Sequence, residues 1–512
     1  MTSAKDPYGI QELAKREKAA HVMGGPDKVA RQHAKGRLTA RERIDALVDR
    51  SSFDEVGLLN HSDRPAVEAI TPADGKIVGF ATIGGRHVVV AADDATVLAG
   101  TGGMVGMTKT FRLKQYAVDH GLPIVNLGDA GGARMPDIMG SDGMMKFGWP
   151  IDHAPRDRRV PMISAILGEC FGLPSWSAAI ADVVVQVKGT VYAVGGSSII
   201  TVATGEQVSD QQLGGWEMHA HTTGAVDLFA DDEAHCMTLI RRVLGYLPSS
   251  HEQAPRVVPC QDDPDERVDA VLEVVPSSLR QPYDMHALID LIADEDSVLE
   301  LKPFFDGSLI TALARIDGHV TGILANNPMV TAGAMGPGAC EKAVSFITLC
   351  DSFHIPLLFL HDTPGFMLSL EAEQKKMSIQ IMRWIDALHH TTVPRVSLIV
   401  RKSYGMAHLN MSGGQMLSDQ LLAWPCADIS FMAPDVAVNV MHGRKSQADK
   451  EAQLAEMQHA SAPWSAAGLG LIDQIIEPRD SRRAIIRAFR RARNPDGSAR
   501  RSRRLMASWP KF

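Results

Sequence analysis

Short apolar runs, separated by polar turns that contain glycine, follow one another in the same order twice along the chain. The two copies are related by a constant offset of 233 positions, and the register holds without a gap from Gly85 to Gly172. Such a register is not kept by chance, and it indicates an internal duplication. Identical pairs at this offset include Gly100 and Gly333, Lys109 and Lys342, Pro123 and Pro356, and Asp129 and Asp362.

Each copy predicts a β-hairpin, a helix and two further strands. In each copy, two runs of strand-forming residues flank a tight turn, Gly84-Gly85 in the first copy and Asp317-Gly318 in the second, and this pattern indicates the hairpin. Apolar residues with a period near 3.6 indicate the helix. The continuous apolar runs that follow are typical of strands buried on both faces of a parallel sheet. An α/β fold is therefore predicted. The predicted strands cover residues 76–83, 86–91, 122–127 and 162–167 in the first copy, and 310–316, 319–325, 355–360 and 396–400 in the second.

The composition is that of a folded protein, with 512 residues, of which 45% are apolar and 22% charged. This length predicts at least two domains. Residues 251–276 are rich in proline and acids, so we predict one domain over 1–262 and another over 263–512. The net charge of −8 argues against nucleic acid as the main partner. The six cysteines are scattered, and no export signal or membrane-length apolar run occurs, which predicts a cytoplasmic protein without a membrane partner.

Several familiar catalytic motifs are missing, among them G-x-S-x-G, the P-loop and H-E-x-x-H. His219 and His221 could share a metal or be structural, but no third ligand is suitably spaced, so no metal is expected. Asp129 and Asp362 follow buried strands, where a carboxylate can be a general base or cap a turn. The glycine-bearing turns either permit tight bends or present backbone N–H groups to an oxyanion. Their duplication suggests a reaction with two enolate-like oxygens.

The motifs together resemble those of the carboxyltransferase (beta) subunits of biotin-dependent acyl-CoA carboxylases, of the propionyl-CoA and acetyl-CoA carboxylase type. The resemblance covers nearly the whole chain. Its motifs are QHAKGRLTARERI at 32–44, DAGGAR at 129–134, TGE at 204–206, LGG at 213–215 with His219, NPM at 327–329, DTPGF at 362–366, RKSYG at 401–405 and AWP at 423–425.

The resemblance implies two tandem crotonase-like domains of the ββα-superhelix type. It implies a homohexamer with active sites at dimer interfaces, in which the N-terminal half binds acyl-CoA and the C-terminal half binds carboxybiotin. Carboxyl transfer to the α-carbon would give a malonyl-CoA-type product, with both oxyanions held by backbone amides. Neither a biotinylation motif nor an ATP-binding loop is present, so biotin would arrive on a separate biotin carboxylase and carrier (alpha) subunit.

The same resemblance implies the site residues. The amides of Gly172 and Leu173 are expected to form one oxyanion hole, and those of Met406 and Ala407 the other. The chain departs from the common family pattern at Leu173, Pro174 and Met406, and Pro174 cannot donate a hydrogen bond. The expected substrate-binding residues are Gly131, Gly132, Ala133, Arg134, Gly365, Phe366, Tyr404, Gly405 and Leu409.

Some alternatives stay open at this point. Leu409 can help to select the acyl group or belong to the core. The same site can run in reverse, as part of a biotin-dependent decarboxylase or transcarboxylase. The altered turns at Leu173, Pro174 and Met406 also allow a non-catalytic scaffold subunit. A crotonase-type hydratase would need a pair of carboxylates in the loops, and none is evident.

Overall fold

The computed structural model describes residues 6, 8–152, 158–263, 268–414, 417–442 and 447–493. The chain divides into two compact units, residues 1–252 and 253–512. Within the described residues, each unit holds an eight-stranded sheet with helices, and the strand order is equivalent in the two units. The predicted α/β fold and the internal duplication are therefore confirmed.

The first unit begins with helices and continues into a mixed sheet. The strands are β1 (Asp54–Glu55), β2 (Lys76–Ile83), β3 (Arg86–Asp93), β4 (Ile124–Ala130), β5 (Met162–Phe171), β6 (Val183–Val187), β7 (Val191–Ala193) and β8 (Leu228–Ala230). The helices are α1 (Ile10–His21), α2 (Pro26–Ala34), α3 (Ala40–Leu47), α4 (Met104–His120), α5 (Met135–Ile138), α6 (Gly140–Asp152), α7 (Leu173–Ala179), α8 (Ser197–Thr204), α9 (Asp210–Gly214), α10 (Trp216–Met218) and α11 (Glu233–Tyr246).

The second unit repeats this arrangement. Its strands are β9 (Leu299–Leu301), β10 (Leu309–Ile316), β11 (His319–Asn326), β12 (Leu357–Thr363), β13 (Arg395–Tyr404), β14 (Gln420–Ala423), β15 (Asp428–Ser430) and β16 (Gln474–Ile475). Its helices are α12 (Ala270–Val274), α13 (Met285–Ile292), α14 (Pro337–Ser352), α15 (Leu370–Gln374), α16 (Met377–His390), α17 (Gly405–Asn410), α18 (Pro434–His442), α19 (Gln447–Ser461), α20 (Pro463–Gly468) and α21 (Ser481–Ala492).

The sheet topology repeats strand by strand. In the first unit the order is β1-β2-β3-β4-β5-β6-β8, with β7 beside β5, and in the second it is β9-β10-β11-β12-β13-β14-β16, with β15 beside β13. The hairpin strands pair antiparallel, whereas the strands after them pair parallel. A register irregularity interrupts β4–β5 between Gly128 and Ala130, and the equivalent one interrupts β12–β13 between His361 and Thr363. Both irregularities lie immediately before the glycine-bearing turns, so the two turns start from the same backbone geometry.

The predicted strands coincide with the central strands of both sheets. Apolar side chains from these strands form the core of each unit. The first core contains Val89, Ile124 and Ile166, and the second contains Ile323, Leu358 and Leu398. Each such side chain contributes about 1.5–3 kcal/mol when it is fully buried. The parallel strands therefore hold the turns at their carboxyl ends in fixed positions.

Glycine is required in the loops that precede α4 and α14, where each loop passes close to the end of β4 or β12. Gly100 has φ +66°, and a Cβ there would lie 2.4 Å from the Asp129 carbonyl oxygen. Gly333 has φ +85°, and its Cβ would lie 2.4 Å from the Asp362 carbonyl oxygen. The two identical close approaches explain why this pair of glycines occurs in both copies.

The division between the units falls ten residues before the predicted boundary at 262. Residues 253–262 belong to the second unit because their backbone is bound to its hairpin. The Val258 N–H donates to the Gly318 carbonyl at 3.1 Å, and Arg315 Nη1 donates to the Arg256 carbonyl at 3.0 Å. In the described part of the chain, no helix is both long and apolar enough to cross a membrane.

Candidate active site

The first glycine-bearing turn, residues 131–133 after β4, pairs with Gly102 as a short parallel bridge. The Gly102 N–H donates to the Gly132 carbonyl at 2.9 Å, and the Arg134 N–H donates to the Gly102 carbonyl at 2.9 Å. In a parallel ladder, the residue between these two points its N–H away from the partner. That residue is Ala133, whose amide has no acceptor among the described residues.

The second turn of the first unit joins β5 to α7. Gly172 has φ 62° and ψ −121°, a conformation that glycine adopts without strain. Its N–H donates to the Val194 carbonyl at 2.9 Å, which corrects the expectation that this amide faces a substrate. Leu173 follows as the first residue of α7, and its N–H has no acceptor in the described structure. Pro174 has no N–H, so the Leu173 amide is the free donor next to Gly172.

The second unit repeats this arrangement. Met335 and Phe366 form the equivalent bridge, because the Met335 N–H donates to the Gly365 carbonyl at 3.1 Å and the Met367 N–H to the Met335 carbonyl at 2.9 Å. The Phe366 amide is left without an acceptor among the described residues.

The turn into α17 offers further donors in the second unit. Gly405, at φ 59°, opens α17 as Gly172 opens α7. The amides of Met406 and Ala407, at the start of α17, have no acceptor in the described structure. Two unpartnered amides in the first unit thus correspond by the 233-residue offset to Phe366 and Met406 in the second, and Ala407 adds a third donor there.

A cavity of about 50 Å³ lies beside the turn that carries Leu173. Gly132, Leu173 and Pro174 contribute to its wall, together with residues of β3, β4, β5 and α4. The cavity therefore begins at the carboxyl ends of the parallel strands, where α/β proteins usually bind ligands.

Asp129 and Asp362 form buried ion pairs. They are therefore neither free general bases nor simple caps of a turn, the two roles considered from the sequence. Asp129 Oδ2 accepts from Arg43 Nη1 at 2.9 Å, and the same guanidinium reaches Glu233 at 2.7 and 2.8 Å. Asp362 Oδ2 accepts from Arg401 Nε at 2.8 Å. All five side chains are buried. These ion pairs anchor the strand ends from which the turns depart, and a sequence without spatial information does not reveal them.

The remaining predicted residues fall into two groups. Gly131 is exposed and Gly365 half-buried, and both are parts of the turns themselves. Leu409 is 38% exposed, so it does not belong to the core. Arg134, in contrast, is buried, and its Nη1 lies 2.7 Å from Asp74 Oδ1. Tyr404 is buried as well, and burial raises the pKa of its phenol, as does the neighbouring Asp428.

His219 has a structural role in this arrangement. Its Nε2 lies 2.8 Å from the Tyr192 carbonyl and its Nδ1 lies 2.9 Å from Thr223 Oγ1. Both ring nitrogens are therefore occupied, which leaves no lone pair for a metal.

Comparison with known proteins decides the family. The sequence model of the carboxyl transferase domain family matches residues 31–505 of this chain. The chain belongs to this family. It is 34% identical to the propionyl-CoA carboxylase beta chain of Roseobacter denitrificans, over 95% of this chain and 96% of the relative. It is also 34% identical to the methylmalonyl-CoA decarboxylase subunit alpha of Veillonella parvula, over 92% of this chain and 94% of the relative.

Among solved structures, the transcarboxylase 12S hexamer with bound methylmalonyl-coenzyme A is similar, with a TM-score of 0.92 and 32% identity over 98% of both chains. The predicted relation to carboxyltransferase subunits and the duplicated crotonase-like fold are thereby confirmed. The protein is a biotin-dependent acyl-CoA carboxyltransferase. The unpartnered amides now have a chemical context, because carboxyl transfer to a thioester generates negative charge on oxygen.

Proposed function

We propose that this carboxyltransferase moves a carboxyl group from the biotin of a separate carrier chain to the α-carbon of an acyl-CoA. The observation that carries the proposal is the pair of equivalent turns, each with backbone N–H groups that lack acceptors among the described residues. Polar groups held in this way cost free energy unless a ligand or water accepts from them. Two such donor sets match the two oxygens that acquire charge in the reaction.

In the first unit, the amides of Ala133 and Leu173 would bind the thioester oxygen of the acyl-CoA. Removal of the α-proton shifts negative charge to this oxygen, and preorganised donors stabilise that charge. The buried pair of Arg43 and Asp129 holds the end of β4 and so keeps the Ala133 amide in place. The α-carbon would then react next to the cavity lined by Leu173.

In the second unit, the amides of Phe366, Met406 and Ala407 would hold the ureido oxygen of biotin. The residues present fit this group, because the turn after β12 and the turn into α17 both carry N–H donors without an acceptor among the described residues. When bound, the carboxylated biotin supplies the activated carboxyl group. Met406 is 37% exposed, and its side chain does not remove the backbone N–H that the proposal uses.

We further propose a hexamer with active sites shared between subunits, and a partner that combines biotin carboxylase and carrier functions. Support comes from the hexameric transcarboxylase 12S and from the relatives named as carboxylase beta chains. A cytoplasmic location stays a prediction. The reverse direction is the second candidate, because two relatives that are 34% and 32% identical are named methylmalonyl-CoA decarboxylase subunits.

The first experiment is decarboxylation of methylmalonyl-CoA by the purified chain, with and without free biotin. We expect release of CO₂ that requires biotin and increases with its concentration. If the folded protein binds the thioester but releases no CO₂ in the presence of biotin, the scaffold alternative replaces the proposed activity. Addition of the carrier subunit from the same genome distinguishes a missing partner from an inactive site.

A further inference from the structure

The cavity beside Leu173 is not a purely apolar pocket. Apolar side chains of α4 and the sheet form part of its wall, among them Met107 and Phe111. Three charged side chains line it as well: Lys76, Asp93 and Lys114. A site for an ordinary hydrocarbon acyl group gains nothing from charges in its wall, because an unpaired charge loses hydration there.

Two of the three charges neutralise each other. Lys76 Nζ lies 2.5 Å from Asp93 Oδ1 and donates also to the Gly100 carbonyl at 2.8 Å. The other carboxylate oxygen of Asp93 accepts from the Asp129 N–H at 3.2 Å. This pair therefore has its own partners and leaves no net charge in the cavity.

Lys114 is the remaining charge. It is half-buried, and among the described residues no carboxylate lies within ion-pair distance of its Nζ and no acceptor hydrogen-bonds to it. The nearest aromatic contact is the Phe111 ring, whose centre is 5.8 Å away. Burial lowers the pKa of the Lys114 ammonium to about 8, with Asp93 opposing the shift. At neutral pH the Lys114 side chain is therefore mostly protonated, and no described carboxylate forms a direct ion pair with it.

A second polar group lies in the wall of the cavity. Asn126 lines the cavity, and its Oδ1 is buried without a hydrogen-bond partner in the described structure. Its Nδ2 donates to Ser164 Oγ at 2.9 Å, which orients the amide group. The buried Oδ1 needs a donor, which a water molecule held in the cavity can supply, so this part of the wall is polar and hydrated.

We infer that this cavity binds the end of a short acyl chain that terminates in a carboxylate, with Lys114 as the residue that determines this specificity. The inference rests on the proposed function, which places the thioester at Ala133 and Leu173. A carboxylate would pair with the Lys114 ammonium, and the methylene groups before it would contact Met107 and Phe111.

The size of the cavity limits the chain length. One water molecule needs roughly 10–15 Å³ of such volume, so the 50 Å³ present accommodate about four non-hydrogen atoms. A methylene and a carboxylate together have that size. The expected substrate therefore has a four-carbon dicarboxylic acyl group, and a long aliphatic chain would not fit in this cavity.

The test compares two CoA thioesters of equal length, succinyl-CoA and butyryl-CoA, by calorimetric binding to the intact protein. We expect the unmodified chain to bind succinyl-CoA more tightly. The variant K114M should lose roughly 10- to 100-fold in succinyl-CoA affinity, as for loss of a charged hydrogen bond, and should bind butyryl-CoA at least as well as before. K114Q retains polarity without charge and should lie between the two.

The matched control is K15M, because Lys15 is exposed on α1, and this variant should leave both affinities unchanged. Equal losses for both thioesters in K114M and K114Q, or a preference of the unmodified chain for butyryl-CoA, would overturn the inference. The binding readout does not need turnover. Selective binding of succinyl-CoA without any biotin-dependent carboxyl transfer would contradict the proposed function and leave the inference intact. Carboxyl transfer by K114M with the same preference between the two thioesters as the unmodified chain would support the proposed function and overturn the inference.

Discussion

Substitution of Leu173 by proline removes one proposed oxyanion donor with little other change. Leu173 is the first residue of α7, where an N–H has no intrahelical acceptor and proline is well tolerated. Leu173 and Ala133 carry the two proposed donors of the first unit, so L173P removes one of the two. Loss of one such donor typically reduces kcat by about 10²–10³, or about 2.7–4 kcal/mol.

The assay is the biotin-dependent decarboxylation of a malonyl-type CoA thioester at saturating substrate. Because the interaction strengthens only in the transition state, kcat should fall while KM changes little. L173A is the matched control, since it removes the side chain and keeps the N–H, and its kcat should stay within a few-fold of the unmodified value. Equal activities of folded L173P and L173A would refute the assignment of this amide.

Three further predictions concern the second unit and the buried charges. M406P should lower kcat by about 10²-fold relative to M406A, although Ala407 remains as a donor, and steady-state kinetics with free biotin measure the difference. R43M should cost about 3–5 kcal/mol in urea unfolding because it leaves buried carboxylates unpaired. R16M, which removes an exposed ion pair, should cost only about 0.5 kcal/mol. Hydrogen bonding to Glu300 raises the pKa of His286 from 6.5 to about 9, so its stabilising effect is complete below pH 6.5 and is lost as the pH rises through 9. The melting temperatures of H286Q and the unmodified chain should therefore differ at pH 6 and converge near pH 10, and a constant difference would contradict this sign.

The duplicated fold could be predicted from the sequence because the decisive signals are local. Apolar runs identified β4 and β12, and the Gly84-Gly85 and Asp317-Gly318 turns identified the two hairpins. The constant offset then required the same topology twice. Strand ends were less accurate, since β4 runs to Ala130 and includes Asp129, whose polar side chain is compensated by the distant Arg43.

The site was predictable only in outline. The turns were identified, but the role of the Gly172 amide was not, because its acceptor Val194 lies in a separate loop beside β7. The equivalence of Ala133 and Phe366 was present in the offset and would have directed attention to both amides. Lys114 gave no signal, since a lysine on an amphipathic helix ordinarily faces solvent.

The central claim is that the Ala133 and Leu173 amides form the oxyanion hole for the acyl thioester. An experimental structure of the protein with a bound, non-hydrolysable acyl-CoA analogue tests it most directly. We expect the oxygen that replaces the thioester carbonyl to lie about 2.7–3.1 Å from both nitrogens. An ordered analogue whose oxygen contacts neither amide, or contacts other donors instead, would contradict the claim.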